Sequence, residues 1–170
     1  PYFQSKRGEI YQCFVKDLVK RGLAYPCFLT EDELAEIRSA QEAAKETTGI
    51  YGKYAEKSRN LSYEEIEANI KAGKPYVVRL KSSGNHDLPS EEIRHIKVED
   101  AIRGTLSMPE NDQDIVILKA TGIPTYHFAH VIDDHFMRTT HVVRGEDWLM
   151  SLPIHVELFE KLGFEMPVYC

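Results

Sequence analysis

The sequence predicts an α/β protein, and three observations carry that expectation. Residues 121–152 read as helix, short strand, loop and helix. Upstream, Thr30 with Glu33 and Ser62 with Glu65 form capping boxes that announce helices. From Lys74 onward the apolar period changes from the helical value to two. With 170 residues, 42% hydrophobic and 28% charged, the chain has the make-up of an ordinary globular protein of one or two small domains. The net charge of -6 argues against a general nucleic-acid binder, although a local basic strip remains compatible with it. No apolar run is long enough to cross a bilayer and no signal peptide opens the chain, so no membrane partner is expected. Cys13, Cys27 and Cys170 are odd in number and far apart, which fits a reducing cytoplasm and indicates neither a disulfide framework nor a metal cluster.

Taken in order, residues 5–21 form the first expected helix, with Ile10, Phe14, Val15, Leu18 and Val19 as its apolar stripe and Gly22 at its C′ position. Thr30 caps a second helix whose expected buried face is Leu34, Ile37, Ala40 and Ala44, with a break over 47–52. Ser62 caps a shorter helix carrying Ile66 and Ile70, closed by Gly73. Tyr76, Val78 and Leu80 then alternate with Val77, Arg79 and Lys81, which puts Arg79 and Lys81 on the outward face of a half-buried strand. After a polar loop at 82–90, residues 93–98, 104–108 and 115–118 read as further strands. Residues 23–118 are therefore expected to be a helix pair followed by a small antiparallel sheet.

Gly122 and Pro124 turn the chain into a helix from Tyr126 to about Phe136, with Thr125 as N-cap. Tyr126, Ala129, His130 and Asp133 share one face; Phe128, Ile132 and Phe136 share another. A strand at 140–143 breaks at Arg144 and Gly145, and Glu146 and Asp147 open a helix just before Trp148. The last helix, 151–162, tolerates Pro153 in its first turn, aligns His155, Leu158, Phe159 and Leu162, and ends at Gly163.

Residues 121–152 hold one Tyr, four His, four acidic residues, two Arg and the only Trp, a mixture a plain core segment does not need. A guanidinium at the exit of a strand, where open α/β folds bind ligands, can grip a carboxylate bidentately. Nearby carboxylates can receive an ammonium or ribose hydroxyls, and an indole can pack on a sugar or base. A helix start with acidic first-turn residues and Trp148 as a core anchor is the plainer alternative. Tyr126 is either a half-buried structural tyrosine or a hydrogen-bond partner of a substrate. His130 and Asp134 at i, i+4 tempt a metal reading, but no zinc spacing is complete; no metal is expected, and Asp133 and Asp134 are expected to cap and orient the next loop. The lysines and arginines of 53–81 are either solvated charge or phosphate contacts.

Residues 124–149, PTYHFAHVIDDHFMRTTHVVRGEDWL, resemble the signature in the second half of the catalytic domain of glutamyl-tRNA synthetases, class I enzymes with glutaminyl relatives. Residues 1–12, PYFQSKRGEIYQ, resemble the stretch that follows the family's first nucleotide-binding half; 23–38 and 73–81 resemble parts of its connecting insertion. The resemblance implies a partial Rossmann-type catalytic domain with an inserted α+β acceptor-binding domain. On it, 1–22 closes the first Rossmann half, 23–118 is the insertion, and 119–170 begins the second half. It further implies that Arg144, Tyr126 and His130 bind glutamate, and that Glu146, Asp147 and Trp148 line the amino-acid and ATP pocket. Asp147 stands where many members carry Glu, a shorter reach.

The insertion would dock the acceptor end of tRNA(Glu), with Arg79 and Lys81 touching its backbone. Some members hold a zinc there; only Cys27 of the required thiolates is present, so no zinc is expected. The implied reaction joins glutamate to the α-phosphate of ATP with Mg²⁺ assistance, releases pyrophosphate, and passes glutamate to the tRNA terminal ribose. The family's His-x-Gly-His and Lys-Met-Ser-Lys-Ser type motifs do not occur in the sequence. The expectation is an excised central segment of a monomeric parent, inactive alone. A relative that glutamylates a queuosine-type tRNA nucleoside, or a free-standing RNA-acceptor-binding module, are the alternative readings.

Overall fold

A computed structural model describes residues 3–170, so the first two residues of the stretch 1–12 lie outside the described residues. After a single 3₁₀ turn at Gln4–Lys6, α1 (Gly8–Lys20) buries Tyr11, Val15 and Leu18. This corrects the expected stripe, because Ile10 and Val19 are exposed. The rotation is set by a polar anchor that periodicity does not register: the Tyr11 hydroxyl donates to both Asp133 carboxylate oxygens, at 2.9 and 2.7 Å. Arg7 Nε lies 3.0 Å from the same carboxylate. The helix closes as expected, with Gly22 at φ +71° and the Leu23 N–H donating 2.9 Å to the Leu18 carbonyl.

β1 (Ala24–Cys27) leads to α2 (Glu31–Ala44) and α4 (Tyr63–Lys71), each starting with both bonds of its expected capping box. The buried face expected for α2 is corrected: Ala40 and Ala44 are exposed, and Gln41 is its one buried residue. Its carboxamide brackets the Gly49 backbone with bonds of 2.7 and 3.0 Å, a polar attachment in place of an apolar one. Between them lies α3 (Gly52–Arg59), a helix the sequence reading did not expect.

Two small sheets replace the single one expected. In the first, β2 (Val77–Leu80) lies between β1 and β5 (Val116–Leu118), antiparallel to both. In the second, the hairpin β3 (His95–Asp100) and β4 (Gly104–Pro109) joins β7 (Val168–Tyr169), which pairs in parallel with β3 and with β6 (His141–Val142). The apolar side of the hairpin explains the merger, since Val98 packs with Leu152, Val156 and Tyr169 in one buried cluster.

The main core unites all three expected segments: Tyr11 and Leu18 of α1, Leu80 and Ile117 of the first sheet, and Phe128, Ile132, Leu158 and Phe159 of the last two α-helices. Of these, α5 (Tyr126–Met137) begins at Thr125, whose backbone suits an N-cap but whose hydroxyl donates 2.7 Å to the Val116 carbonyl instead of capping. Phe136 at its far end is half exposed. Residues Glu146–Ser151 form a 3₁₀ helix, which runs into α6 (Leu152–Leu162). No helix among the described residues is long and apolar enough to cross a membrane.

Asp114 stitches the helical part to the first sheet. Its buried carboxylate accepts from Tyr25 Oη at 2.6 Å, Arg59 Nε at 2.6 Å, and the Ser82 N–H at 2.8 Å. Burial alone would raise its pKa, but the Arg59 guanidinium and these donors hold it below the ordinary carboxylate value.

Candidate functional site

Four of the expected residues converge where α5, the exit of β6 and α6 meet. Arg144 leaves β6 with its N–H bonded 3.2 Å to the Cys170 carbonyl and its guanidinium 4.6 Å from the centre of the Tyr169 ring. Its Nη1 donates 3.2 Å to His155 Nδ1, while its Nη2 is buried with no hydrogen-bond partner. Tyr126 opens α5 and lies 5.0 Å, ring to ring, from Trp148 and 5.8 Å from the parallel ring of His130. Tyr126 is 50% exposed and Trp148 37%, so both rings present surface to solvent beside the guanidinium.

The imidazoles are held neutral. His155 is fully buried; burial, then His130, Arg144 and His127, press its pKa down to about 2. His127, 3.0 Å from His155, is lowered by burial and by His130 and Arg144. In His130 burial likewise outweighs the opposing pull of Asp134, whose carboxylate is 3.1 Å away but not aligned for a hydrogen bond; His130 Nε2 is buried without a partner. A cation walled by neutral rings, with a buried N–H unsatisfied, is a receptor for an anion, and its planar fork suits a carboxylate.

Other expected residues stand apart. Glu146 is exposed and its carboxylate pairs with Arg103 of the β3–β4 turn. Asp147 is exposed and folds back on the chain, with Oδ1 2.6 Å from where a Cβ on Gly145 would sit. Arg79 is buried and donates 2.8 Å to the Asp114 carbonyl, which corrects its outward placement: Val78, Arg79 and Leu80 are consecutive buried residues, so neither face of β2 is open there. Lys81 is exposed. Asp133 and Asp134 do not cap the next loop, as expected of them, because α1 and His130 engage their carboxylates. Cys27 is buried with Sγ 3.6 Å from Ser58 Oγ. Among the described residues no group of three or more His, Cys, Asp or Glu side chains is placed to hold a metal ion.

Sequence reasoning missed His155 and Tyr169 as parts of the site. The available signal was an imidazole on the otherwise apolar face of α6. A hollow of about 160 Å³ beside Arg144 is walled by Asp100, Arg103, Leu152 and Tyr169. A larger groove of about 800 Å³ lies elsewhere, between α1 and α4; Lys16, Lys20, Lys74 and Lys119 line it with Tyr63 and Tyr76, and no carboxylate does.

A guanidinium at a strand exit with one buried, unpartnered edge, set in an α/β fold, has the chemistry that an amino-acid-activating enzyme needs for a carboxylate. Residues 1–170 match the family described as tRNA synthetases class I (E and Q), catalytic domain, and the chain belongs to that family. It is 58% identical over 170 residues to a glutamate–tRNA ligase of Acetivibrio thermocellus, covering 100% of this chain and 30% of that protein. A glutamate–tRNA ligase of Clostridium perfringens (strain 13 / Type A) is 55% identical over 169 residues, which are 99% of this chain and 30% of the relative. The chain thus spans about 30% of the length of these curated relatives. Among solved structures, a glutamate tRNA ligase from Elizabethkingia meningosepticum in complex with its amino acid superposes with a TM-score of 0.85 at 37% identity, over 100% of this chain and 34% of the other. The fold is accordingly that of part of a Rossmann-type class I catalytic domain.

Proposed function

We propose that this chain is the central part of a glutamate–tRNA ligase, and that Arg144 receives a carboxylate of the glutamate substrate. The observation that carries the reading is the buried, unpartnered Nη2 of a guanidinium whose side-chain hydrogen-bond partner is the neutral imidazole of His155. Tyr126 and His130 complete the pocket: Tyr126 is half exposed, and the unpartnered His130 Nε2 offers a second polar contact. Trp148, tilted against Tyr126 at 5.0 Å, adds an aromatic edge to the rim of this pocket. Glu146 and Asp147, both solvent-facing, border the side on which we place ATP.

The segments 1–22, 23–118 and 119–170 then correspond to the end of the first Rossmann half, the tRNA acceptor-binding insertion, and the start of the second half. In the whole enzyme, working in the cytoplasm, glutamate attacks the α-phosphate of ATP, pyrophosphate leaves, and the adenylate passes glutamate to the terminal ribose of tRNA(Glu). Mg²⁺ belongs to such chemistry, but the residues described here offer no three-ligand group that fits it, and no step is assigned to it. Backbone contacts to tRNA come from exposed Lys81 and from the lysines of the α1–α4 groove; Arg79 lies too deep to take part.

The test is glutamate-dependent ATP–pyrophosphate exchange by the full-length enzyme carrying this segment. Arg144→Gln should raise the glutamate KM at least about tenfold, the weight of one charged hydrogen bond, and leave the ATP KM within about twofold. An unchanged glutamate KM would sink the assignment.

A further inference from the structure

Resting on that reading of Arg144, we propose that His155 is a positioning residue: it fixes the carboxylate-binding guanidinium through a directed chain of neutral imidazoles that leaves the positive charge unspent.

Donor logic sets the chain. Arginine only donates, so the 3.2 Å contact from Arg144 Nη1 makes His155 Nδ1 an acceptor. A neutral His155 then carries its proton on Nε2, which lies 3.0 Å from His127 Nδ1 and donates to it. One cation thereby dictates the tautomer of two histidines. The groups facing His155 are Tyr126, His127 and His130 from α5 and Arg144 from the β6 exit, while Tyr169 of β7 lies beneath the guanidinium. None of these is a carboxylate. An Asp or Glu in place of His155 would orient Arg144 equally well but would neutralise it, and a substrate anion would then have to displace an internal one. With the Tyr169 ring beneath it and Nη1 bonded to imidazole, the guanidinium keeps Nη2 as its unsatisfied edge. This preorganisation acts on binding, since it spares the substrate the cost of ordering a long side chain.

Two measurements on the full-length enzyme test this. First, His155→Leu, His155→Gln and Arg144→Gln are compared in glutamate-dependent ATP–pyrophosphate exchange. His155→Leu removes acceptor and donor and should raise the glutamate KM about ten- to hundredfold with kcat within about threefold. His155→Gln, whose carboxamide can accept from Arg144 and donate to His127, should recover most of the loss. A folded His155→Leu enzyme with a normal glutamate KM, beside an Arg144→Gln enzyme with a raised one, overturns the positioning role and spares the arginine assignment. If Arg144→Gln is itself normal, the assignment fails and the inference goes with it. Second, ¹⁵N NMR of the wild-type histidines, which needs no folded variant, should find His155 protonated on Nε2 and bare on Nδ1. A proton on Nδ1 overturns the chain directly.

Discussion

At His155 a titratable ring sits fully buried in a helix face that otherwise carries Leu158 and Phe159, and its cost is visible as a dependence on pH. Its folded pKa, near 2, lies below the unfolded value of 6.5. Below about pH 6.5 the unfolded chain therefore binds a proton that the folded chain refuses. Stability is undiminished above that point and declines as pH falls, by about 1.4 kcal/mol per pH unit for one such group. Between pH 6.5 and 5 this amounts to about 2 kcal/mol for His155 alone, with His127 and His130 adding in the same direction. Urea-unfolding free energies across that range should show the decline, and His155→Gln should flatten it. A pH-independent difference between the two proteins would mean that His155 does not stay neutral in the fold. The same residues mark what was legible. Tyr126, Arg144 and Trp148 stood out as chemistry-bearing side chains within one short stretch. His155 did not, because its partners come from α5 and the β6 exit, and contacts across elements leave no trace in local spacing.

Among elements, the strongest cross-link is Asp114. Its side chain is 0% exposed and that of Arg59 is 21% exposed, and the pair ties α3 to β1 and to the segment just past β2. Asp114→Ala would strand the Arg59 charge and the Tyr25 hydroxyl, so a loss of about 3–5 kcal/mol is expected from denaturant unfolding. A loss under about 1 kcal/mol would show that water already satisfies these donors. The helices with capping boxes were readable because both partners of each cap lie three residues apart. α3 was not, since it starts without a side-chain cap and carries few apolar residues, Ala55 being the one that is fully buried. Arg79 was misplaced for a related reason: alternation assumes one wet face, whereas in β2 the consecutive residues Val78, Arg79 and Leu80 are all buried, and Arg79 Nη1 donates to the Asp114 carbonyl. The apolar residues of β3 foretold a strand, yet its pairing with β7 joins Asp100 to Tyr169, far apart in sequence.

For the molecule as a whole, a net charge of -6 coexists with a groove lined by Lys16, Lys20, Lys74 and Lys119. If this groove and Lys81 meet the acceptor stem of tRNA(Glu), binding of a cognate hairpin must weaken steeply with salt. Each Lys→Gln change in the groove should reduce the log–log slope by about 0.7–0.9. Slopes that do not respond would move the RNA face elsewhere.

The second sheet has one more consequence, for synthesis. β7 lies between β3 and β6 although it is the last strand in sequence, and Tyr169, the platform under Arg144, belongs to it. On the ribosome, where chains emerge N-terminus first, the β3–β4 hairpin and β6 must wait unjoined until that strand arrives. The main core, built from residues that appear earlier, can close before then, whereas the guanidinium gains its floor last. Within this segment, a truncation just ahead of Val168 would remove the floor of the arginine pocket and leave the buried residues of the main core in place.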